Sequence, residues 1–466
     1  MNDIHRLSIA FSVAAICLIR PAREAMCAPP SPPPRANVVL IVSDDQGFGD
    51  IGWNSEQVST PRLSRLASEG VRFDRFYANP ICSVTRAALM TGMATIRTGV
   101  NNRSGLDLEY RLLPQIFRDA GYQTWMFGKW HLGGPSDSER RGPKYYPRAR
   151  GFDYFYGHLH GAIDYYTHRR KDTGEIDWQR NGKPVVEKGF STDLLVDDAI
   201  RNLKARDVLR PFLLYLPFNA VHGPLQAPPS SPSLSKRNRR ELLAANVAHM
   251  DAAIGRLLDA IDDEGLREST LILFFSDNGG QLSQGASNGE LRGEKGNTFE
   301  GGIRVPAAAR WPEILPAGTV SQQFVSVMDV LPTLCAAVGI DTGMESPLDG
   351  VNLWPALSQG KIADRPPFVM GNKDVACFAP PWKLVIPGHV ETPLLFDVVD
   401  DPNEARDLAK LHPDVVSRLL QHVQSLGGVA RRGGEQSGTR PRGDRRQGSK
   451  KRQRTEANDF SAGQKP

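Results

Sequence analysis

The sequence predicts an α/β fold built on a large, mostly parallel sheet. Three continuous apolar runs are each followed by a polar cluster: 38–42, 212–216 and 271–275. Such runs are typical of strands that are buried on both faces, as in a parallel sheet. Helical periodicity lies between them, at 112–120, 193–203 and 241–262. Strands that alternate with helices indicate an α/β domain, which we place at residues 36–345.

The first 28 residues are predicted to form a signal peptide. Arg6 precedes a mostly apolar run at 7–19, and small residues follow at 25–28. This run is shorter than the roughly 20 residues of a membrane-spanning helix, so we expect no stable membrane insertion. Residues 29–35 are Pro-rich and predict an extended spacer. The protein is therefore expected to be periplasmic or secreted.

Carboxylates follow two of the predicted strands. Asp44 and Asp45 come after the first strand, and Asp277 and Asn278 come after the strand at 271–275. In parallel sheets ligands gather beyond the carboxyl ends of strands, so these side chains are expected to meet. Three carboxylates and an amide suit a hard cation such as Ca²⁺ or Mg²⁺. Ordinary turn chemistry is the alternative for either pair alone.

The chain has five cysteines, and Cys17 and Cys27 fall within the leader. The three in the body are too few to predict a disulfide framework. Cys82 opens a predicted helix that ends at Gly92, and Arg86 lies one turn along the same face. A helix N-terminus favours an anion, so this pair suits an oxyanion ester. The alternative is a buried cysteine beside a surface arginine.

Further cations and imidazoles fall in polar segments. Lys129 and His131 are two residues apart, so an extended strand would point both to one side. A cation that holds an oxyanion and an imidazole that transfers protons form a plausible catalytic pair. His222 follows the strand at 212–216, and Lys295 lies in a Gly-rich loop. Taken singly, each of these residues is more commonly structural or solvated.

The pattern changes after about residue 345. Short strands are predicted at 382–386 and 394–398, separated by Pro and Gly, and a helix follows at 413–426. We therefore predict a smaller α+β subdomain with an antiparallel sheet at residues 346–428.

The basic charge belongs to the C-terminus. The chain has a net charge of +5, but residues 430–466 alone carry +7, which leaves −2 for the rest. We expect residues 429–466 to be a disordered tail, because large apolar residues are nearly absent there. Such a tail can contact nucleic acid or an anionic glycan, or be a solvated extension; no specific nucleic-acid partner is expected.

Together these motifs resemble the sulfatase family over residues 37–426. The shared segments are 43–47, 82–92, 128–133, position 222, 276–280 and 289–312. Segments 151–168 and 221–226 resemble more narrowly the arylsulfatase B (N-acetylgalactosamine-4-sulfatase) branch. The resemblance implies an alkaline-phosphatase-like fold and hydrolysis of sulfuric esters of a sulfated carbohydrate. The family pattern has Pro or Ala where this chain has Val84.

The resemblance also implies a modified nucleophile and a metal ion. Cys82 would be oxidised to formylglycine by a formylglycine-generating enzyme, and a hydroxyl of the hydrated aldehyde would attack sulfur. Ca²⁺ would be bound by that residue and by oxygen ligands, a set comprising Asp44, Asp45, Cys82, Asp277 and Asn278.

The other implied roles fall to charged and imidazole side chains. Arg86 and Lys129 would stabilise the charge on the sulfonyl group. Lys295 and His222 would neutralise or protonate the departing oxygen. His131 would take the proton that allows sulfate to leave.

Two other functions stay open. A phosphonate or phosphate ester hydrolase of the same superfamily would use similar metal-site chemistry. A non-catalytic protein that binds sulfated glycans would keep Cys82 as a thiol. Three residues, His158, His160 and Asp164, lie where the family often places substrate contacts.

Overall fold

The computed structural model describes residues 36–101, 104–134, 142–235, 238–344, 347–371, 373–388 and 392–427. The predicted signal peptide (1–28), spacer (29–35) and basic tail (429–466) lie outside these residues. So does the predicted boundary at 345–346, and the division into domains stays a prediction.

The main sheet has eleven strands and is mostly parallel. Its strands are β1 (Asn37–Ser43), β2 (Val71–Tyr77), β3 (Gln123–Lys129), β4 (Tyr154–His158), β5 (Gln179–Arg180), β6 (Lys183–Pro184), β7 (Phe212–Pro217), β8 (Thr270–Ser276), β9 (Arg304–Arg310), β10 (Thr319–Ser321) and β11 (Val325–Ser326). Their order is β10-β2-β9-β8-β1-β7-β3-β4-β5-β6, with β11 paired to β2. The central strands β8, β1, β7 and β3 are parallel, whereas β9 runs antiparallel between β2 and β8. The predicted fold class is confirmed.

Side chains of the central strands alternate between two apolar cores. In β1, Val38 and Leu40 pack into one core while Val39 and Ile41 pack into the other. This alternation follows from the strand period of two, and it explains why the run at 38–42 is apolar throughout.

Ten α-helices accompany the sheets in the described part of the chain. They are α1 (Pro61–Ser68), α2 (Cys82–Thr91), α3 (Thr95–Thr98), α4 (Leu113–Asp119), α5 (Ser191–Lys204), α6 (Arg239–Asp263), α7 (Glu300–Ile303), α8 (Val330–Ala337), α9 (Trp354–Ser358) and α10 (Pro413–Ser425). The predicted helices at 82–92, 112–120, 193–203, 241–262 and 413–426 are confirmed within a few residues. Among the described helices, none combines the length and apolar character needed to cross a bilayer.

A second, antiparallel sheet follows the main one. It contains β12 (Phe368–Gly371), β13 (Val375–Ala379), β14 (Trp382–Ile386) and β15 (Leu394–Asp397), in that order. Helix α10 packs Val415, Leu419 and Val423 into a third apolar cluster with this sheet. The predicted small antiparallel sheet with its helix is confirmed.

Candidate active site

Two neighbouring parallel strands bring the predicted metal ligands together. Ser43 of β1 pairs with Ser276 of β8, and the acidic residues follow directly after both strands. The backbone N–H of Asp45 donates to Oδ1 of Asp277 at 3.2 Å. Asn278 donates through Nδ2 to Oδ1 of Asp45 at 2.8 Å. The predicted convergence of these side chains is therefore observed.

Helix α2 places Cys82 against the same carboxylates. The thiol is buried at the first helical position, and Sγ lies 3.3 Å from Oδ1 of Asp44 and 3.8 Å from Oδ1 of Asp45. Ligand atoms of Asp44, Asp45, Cys82 and His222 all lie within 4.8 Å of one another. Burial, and then the charges of Asp277 and Asp44, raise the pKa of the Cys82 thiol far above its ordinary value. As encoded, the residue is a neutral thiol and a weak nucleophile.

Arg86 and Lys129 neutralise two of the carboxylates. Arg86 lies one turn after Cys82 and donates through Nη2 to Oδ2 of Asp277 at 2.7 Å. It also donates through Nη1 to the carbonyl of Lys129 at 2.9 Å. Lys129 in turn contacts Oδ2 of Asp44 at 2.5 Å. All four side chains are at most 1% exposed, so Arg86 is not the surface arginine of the alternative interpretation.

Lys295 and His222 approach the third carboxylate. Lys295 Nζ lies 2.6 Å from Oδ1 of Asp45, and His222 Nε2 lies 3.7 Å from Oδ2. His222 Nδ1 is 2.6 Å from the carbonyl of Gly223, which can only accept, so Nδ1 carries the proton. Burial lowers the pKa of His222 to about 4, partly offset by Asp45. Burial alone would lower the pKa of Lys295, but the negative charges of Asp45 and Asp44 raise it, so the ammonium stays charged.

The acidic cluster fits a bound cation. Burial and the neighbouring charge of Asp44 raise the pKa of Asp277 to about 6, although Arg86 opposes this shift. Oδ1 of Asn278 is buried and has no hydrogen-bond partner among the described residues. A divalent ion would offset the carboxylate repulsion and give this amide oxygen a partner, which is the ligand chemistry of Ca²⁺.

His131 reaches the site by a different route from the one predicted. Strand β3 ends at Lys129, and His131 has φ of 57°, so the two residues do not share an extended strand. This left-handed residue turns the chain, and Gly161 packs so closely that an added Cβ would lie 2.7 Å from Cε1 of the ring. Burial, then the charges of Lys129 and Arg86, hold the pKa of His131 well below its usual value. The ring is therefore neutral and able to accept a proton.

His158, His160 and Asp164, which lie where the family often places substrate contacts, have different surroundings in the structure. His158 is fully buried, and Asp164 accepts a hydrogen bond from Gln226 at 2.9 Å. Of these three, His160 lines a cavity of about 260 Å³ that His131 also lines. The ring of His158 stacks on that of Trp178 at 6.4 Å, and Asp164 accepts the backbone N–H groups of Tyr166 and Thr167.

Sequence reasoning missed the groups that hold these residues in place. Tyr165 donates through Oη to the carbonyl of His222 at 2.9 Å. Asp177 contacts Nδ1 of His160 at 2.8 Å, and Arg170 contacts Nε2 of the same ring at 3.0 Å. Tyr165 and His222 are far apart in sequence. His160, Arg170 and Asp177 all lie between β4 and β5, where no helix or strand sets a regular spacing, so no local pattern marks them.

Comparison with known proteins identifies the family. The family model described as Sulfatase matches residues 36–340. Arylsulfatase J of Mus musculus is 35% identical over 351 residues, which are 71% of this chain and 57% of that protein. N-acetylgalactosamine-6-sulfatase of Homo sapiens is 35% identical over 369 residues, which are 73% of this chain and 68% of that protein.

Solved structures agree with this family. Ps i-CgsB in complex with k-i-k-neocarrahexaose has a TM-score of 0.77 at 32% identity, covering 84% of this chain and 92% of that chain. The phosphonate monoester hydrolase of Agrobacterium radiobacter has a TM-score of 0.63 at 20% identity and covers 84% and 95%, which shows a shared fold alone. The narrower resemblance to the arylsulfatase B branch stays a prediction. The chain belongs to the sulfatase family and is a sulfuric ester hydrolase.

Proposed function

We propose that the protein removes sulfate from a sulfated carbohydrate after Cys82 has been oxidised to formylglycine. The observation that carries this proposal is the burial of Cys82 within 3.3 Å of Asp44, at the N-terminus of α2. A thiol whose pKa is raised by that setting is a poor nucleophile, whereas a modified side chain there adjoins a cluster suited to a cation. Relatives whose names include N-acetylgalactosamine-6-sulfatase, and a neighbour bound to neocarrahexaose, support a sugar as the substrate.

The residues that would hold the metal are those at the ends of β1 and β8. The proposed ligands of Ca²⁺ are Asp44, Asp45, Asp277, Asn278 and the modified Cys82. When these groups are present, the ion supplies positive charge to the sulfate oxygens and the hydrated aldehyde supplies a nucleophilic hydroxyl.

The cationic side chains would bind the sulfuryl group. Lys129 and Arg86 are fully buried and already paired with carboxylates, so their positions are fixed before substrate arrives. Fixed charges in a site that excludes water stabilise developing negative charge more strongly than charges in solvent. Arg86 also orients Lys129 through the hydrogen bond to its carbonyl.

His131, His222 and Lys295 would donate or accept protons during the reaction. Lys295 carries a proton and borders Asp45, so it can donate to or neutralise the departing alcohol oxygen. His222 Nε2 lies 3.7 Å from the carboxylate of Asp45 and bears no proton in the neutral ring, so His222 would donate to the departing oxygen only after Nε2 has taken up a proton. Neutral His131 can take the proton whose loss frees sulfate.

Maturation and location complete the proposal. A formylglycine-generating enzyme would act on the segment around Cys82, where Val84 replaces the Pro or Ala of the family pattern. Export to the periplasm or the exterior is proposed from the leader at residues 1–28.

The test compares esters of sulfur and phosphorus. Purified protein from its own host should hydrolyse an aryl sulfate faster than the matched aryl phosphate and phosphonate. Cys82→Ala should abolish turnover while the thermal unfolding midpoint stays near that of the parent. A preference for phosphorus would support the phosphonate or phosphate hydrolase instead. Binding of sulfated sugars without turnover would support the non-catalytic alternative.

A further inference from the structure

A cavity of about 260 Å³ continues the site beyond His131. His160, Arg170 and Lys171 are among the residues that line it. His131 adjoins the charged groups around Cys82 and also lines this cavity. A sugar whose sulfate lies at Cys82 therefore has the cavity available for its remaining groups. The cavity lining carries two cations, Arg170 and Lys171, and one carboxylate, Asp172.

A partly buried chain of hydrogen bonds holds Arg170 in place. Arg170 can only donate, so its 3.0 Å contact makes Nε2 of His160 the acceptor. Nδ1 of His160 then carries the hydrogen and donates to Oδ2 of Asp177 at 2.8 Å. Asp177 is 5% exposed and also accepts the backbone N–H groups of Leu159 and His160. The guanidinium is thus held from a buried carboxylate through an imidazole of defined tautomer.

Arg170 has N–H groups that are not used by the contacts described above. Its Nε and Nη2 donate to the two oxygens of Asp172 at 3.0 and 2.5 Å, a side-on arrangement. With the bond to His160, three of the five guanidinium N–H groups have acceptors among the described residues. The remaining two suit a planar or tetrahedral oxyanion, for which arginine is the preferred side chain.

Lys171 adds a second positive charge at the cavity. It is exposed, and no carboxylate in the described ranges lies within ion-pair distance of it. Asp172 is 66% exposed in its side chain and faces solvent, whereas Arg170 is 8% exposed. The charged side chains of the lining therefore sum to one net positive charge.

We propose that Arg170, assisted by Lys171, binds a second negatively charged group of the substrate, either a carboxylate or a further sulfate ester. The substrate class is then an acidic sugar that carries a charge besides the sulfate to be removed. This inference rests on the proposed function and narrows it.

The test uses three sugars that share the same scissile sulfate. One has no other charge, one has a uronate carboxylate and one has a second sulfate. The parent protein should show a kcat/KM at least tenfold higher for one of the charged sugars than for the neutral one. Which charged sugar is preferred distinguishes the carboxylate from the second sulfate. Equal kcat/KM for all three would overturn the inference.

Variants test whether Arg170 causes the preference for charged sugars. Arg170→Gln should reduce the ratio of kcat/KM between charged and neutral sugars at least tenfold, mainly through KM. Lys171→Gln, at an exposed position, should reduce that ratio about threefold without affecting folding. Arg169→Gln is the matched control, because Arg169 is exposed and donates to the carbonyl of Gly174. It should leave the ratio unchanged.

Two results would contradict the assignment. If the ratio of kcat/KM between charged and neutral sugars is unchanged in both Arg170→Gln and Lys171→Gln, neither side chain binds the second negatively charged group. An equal loss on neutral and charged sugars in Arg170→Gln would show a purely structural role. Failure of the parent protein to hydrolyse any sulfate ester, including an aryl sulfate, would instead count against the proposed function itself.

Discussion

Cys82 and the charges around it define the chemistry at the scale of single residues. Three carboxylates and three basic side chains meet within a few ångströms, and most are fully buried. Burying unpaired charges costs several kcal/mol each, so each carboxylate is matched by a cation of this chain. The space that remains between them is where the nucleophile and the metal are proposed to lie.

Replacement of Asp277 tests whether activity and stability depend on the pairing of these buried charges. Asp277→Ala should lower turnover about 10³-fold or more, because it removes a proposed metal ligand. It also leaves Arg86 buried without its 2.7 Å partner, which should cost about 3–5 kcal/mol of folding free energy. Steady-state kinetics and urea denaturation measure the two effects.

The matched control is Asp259→Ala. Asp259 pairs with Arg62 on the surface, where both side chains are nearly half exposed. Such pairs contribute about 0–1 kcal/mol, so this variant should keep its activity and nearly all its stability. Full turnover in Asp277→Ala would contradict the role given to that carboxylate.

At the scale of elements, the catalytic groups sit where strands and helices begin or end. The sequence predicted Asp44 and Asp277 at strand ends because continuous apolar runs of five residues mark strands that are buried on both faces. It did not predict β9, since Arg304–Arg310 contains Pro and three Ala and has little intrinsic strand preference. Pairing with β2 and β8 imposes that strand. The turn at His131, where φ is 57° and the ring packs against Gly161, was likewise not marked by a local pattern.

The C-cap of α2 helps to fix the helix that carries Cys82. Gly92 has φ of 67°, which costs a residue with a side chain about 1–2 kcal/mol. An added Cβ would also lie 3.2 Å from Cδ2 of Leu348. Gly92→Ala should therefore destabilise the protein more than Gly265→Ala, because Gly265 has φ of 69° and open space around it. Equal free energies of unfolding in the two variants would contradict the contribution of this contact.

Strand β4 carries a histidine that should make stability depend on pH. Burial lowers the pKa of His158 to about 3 from its ordinary value of 6.5. The unfolded chain then binds a proton that the folded state excludes, so the free energy of unfolding falls as pH drops below 6.5. The loss from this residue is roughly 2 kcal/mol at pH 5.

His158→Phe isolates this effect because it removes the titrating group. Between pH 7 and pH 5 the variant should lose about 2 kcal/mol less stability than the parent in urea denaturation. The same loss in both proteins would show that His158 takes up its proton in the folded state.

At the scale of the whole molecule, a buried ion cluster links the two sheets. Lys383 of β14 lies 2.9 Å from Glu300, in the segment before β9, and 2.9 Å from Glu404. All three side chains are fully buried. Glu404 also accepts the backbone N–H of Glu300, and its own carbonyl accepts a hydrogen bond from Arg292. The loop that carries Lys295 is thus anchored to the smaller sheet.

Lys383→Met should destabilise the protein by about 3–5 kcal/mol, because it leaves two buried glutamates without their shared cation. Thermal or urea unfolding measures the loss. Lys361→Met, at an exposed position, is the control and should change stability by less than about 0.5 kcal/mol. A small effect of Lys383→Met would show that the cluster does not hold the sheets together.

Removal of the proposed metal should also act on the whole molecule. A ligand that binds only the folded state stabilises it by about 2.7 kcal/mol at 100 times its dissociation constant. A Ca²⁺ chelator should therefore lower the unfolding midpoint and abolish turnover, and added Ca²⁺ should restore both. An unchanged midpoint with full activity in the chelator would rule out the metal.

Mass analysis of the peptide that contains Cys82, from active protein purified from its own host, measures whether Cys82 has been converted to formylglycine. We expect the mass in which the CH2–SH group is replaced by an aldehyde, in a proportion that matches the active fraction of the preparation. Rapid hydrolysis of sulfate monoesters by protein whose Cys82 is entirely an unmodified thiol would contradict it.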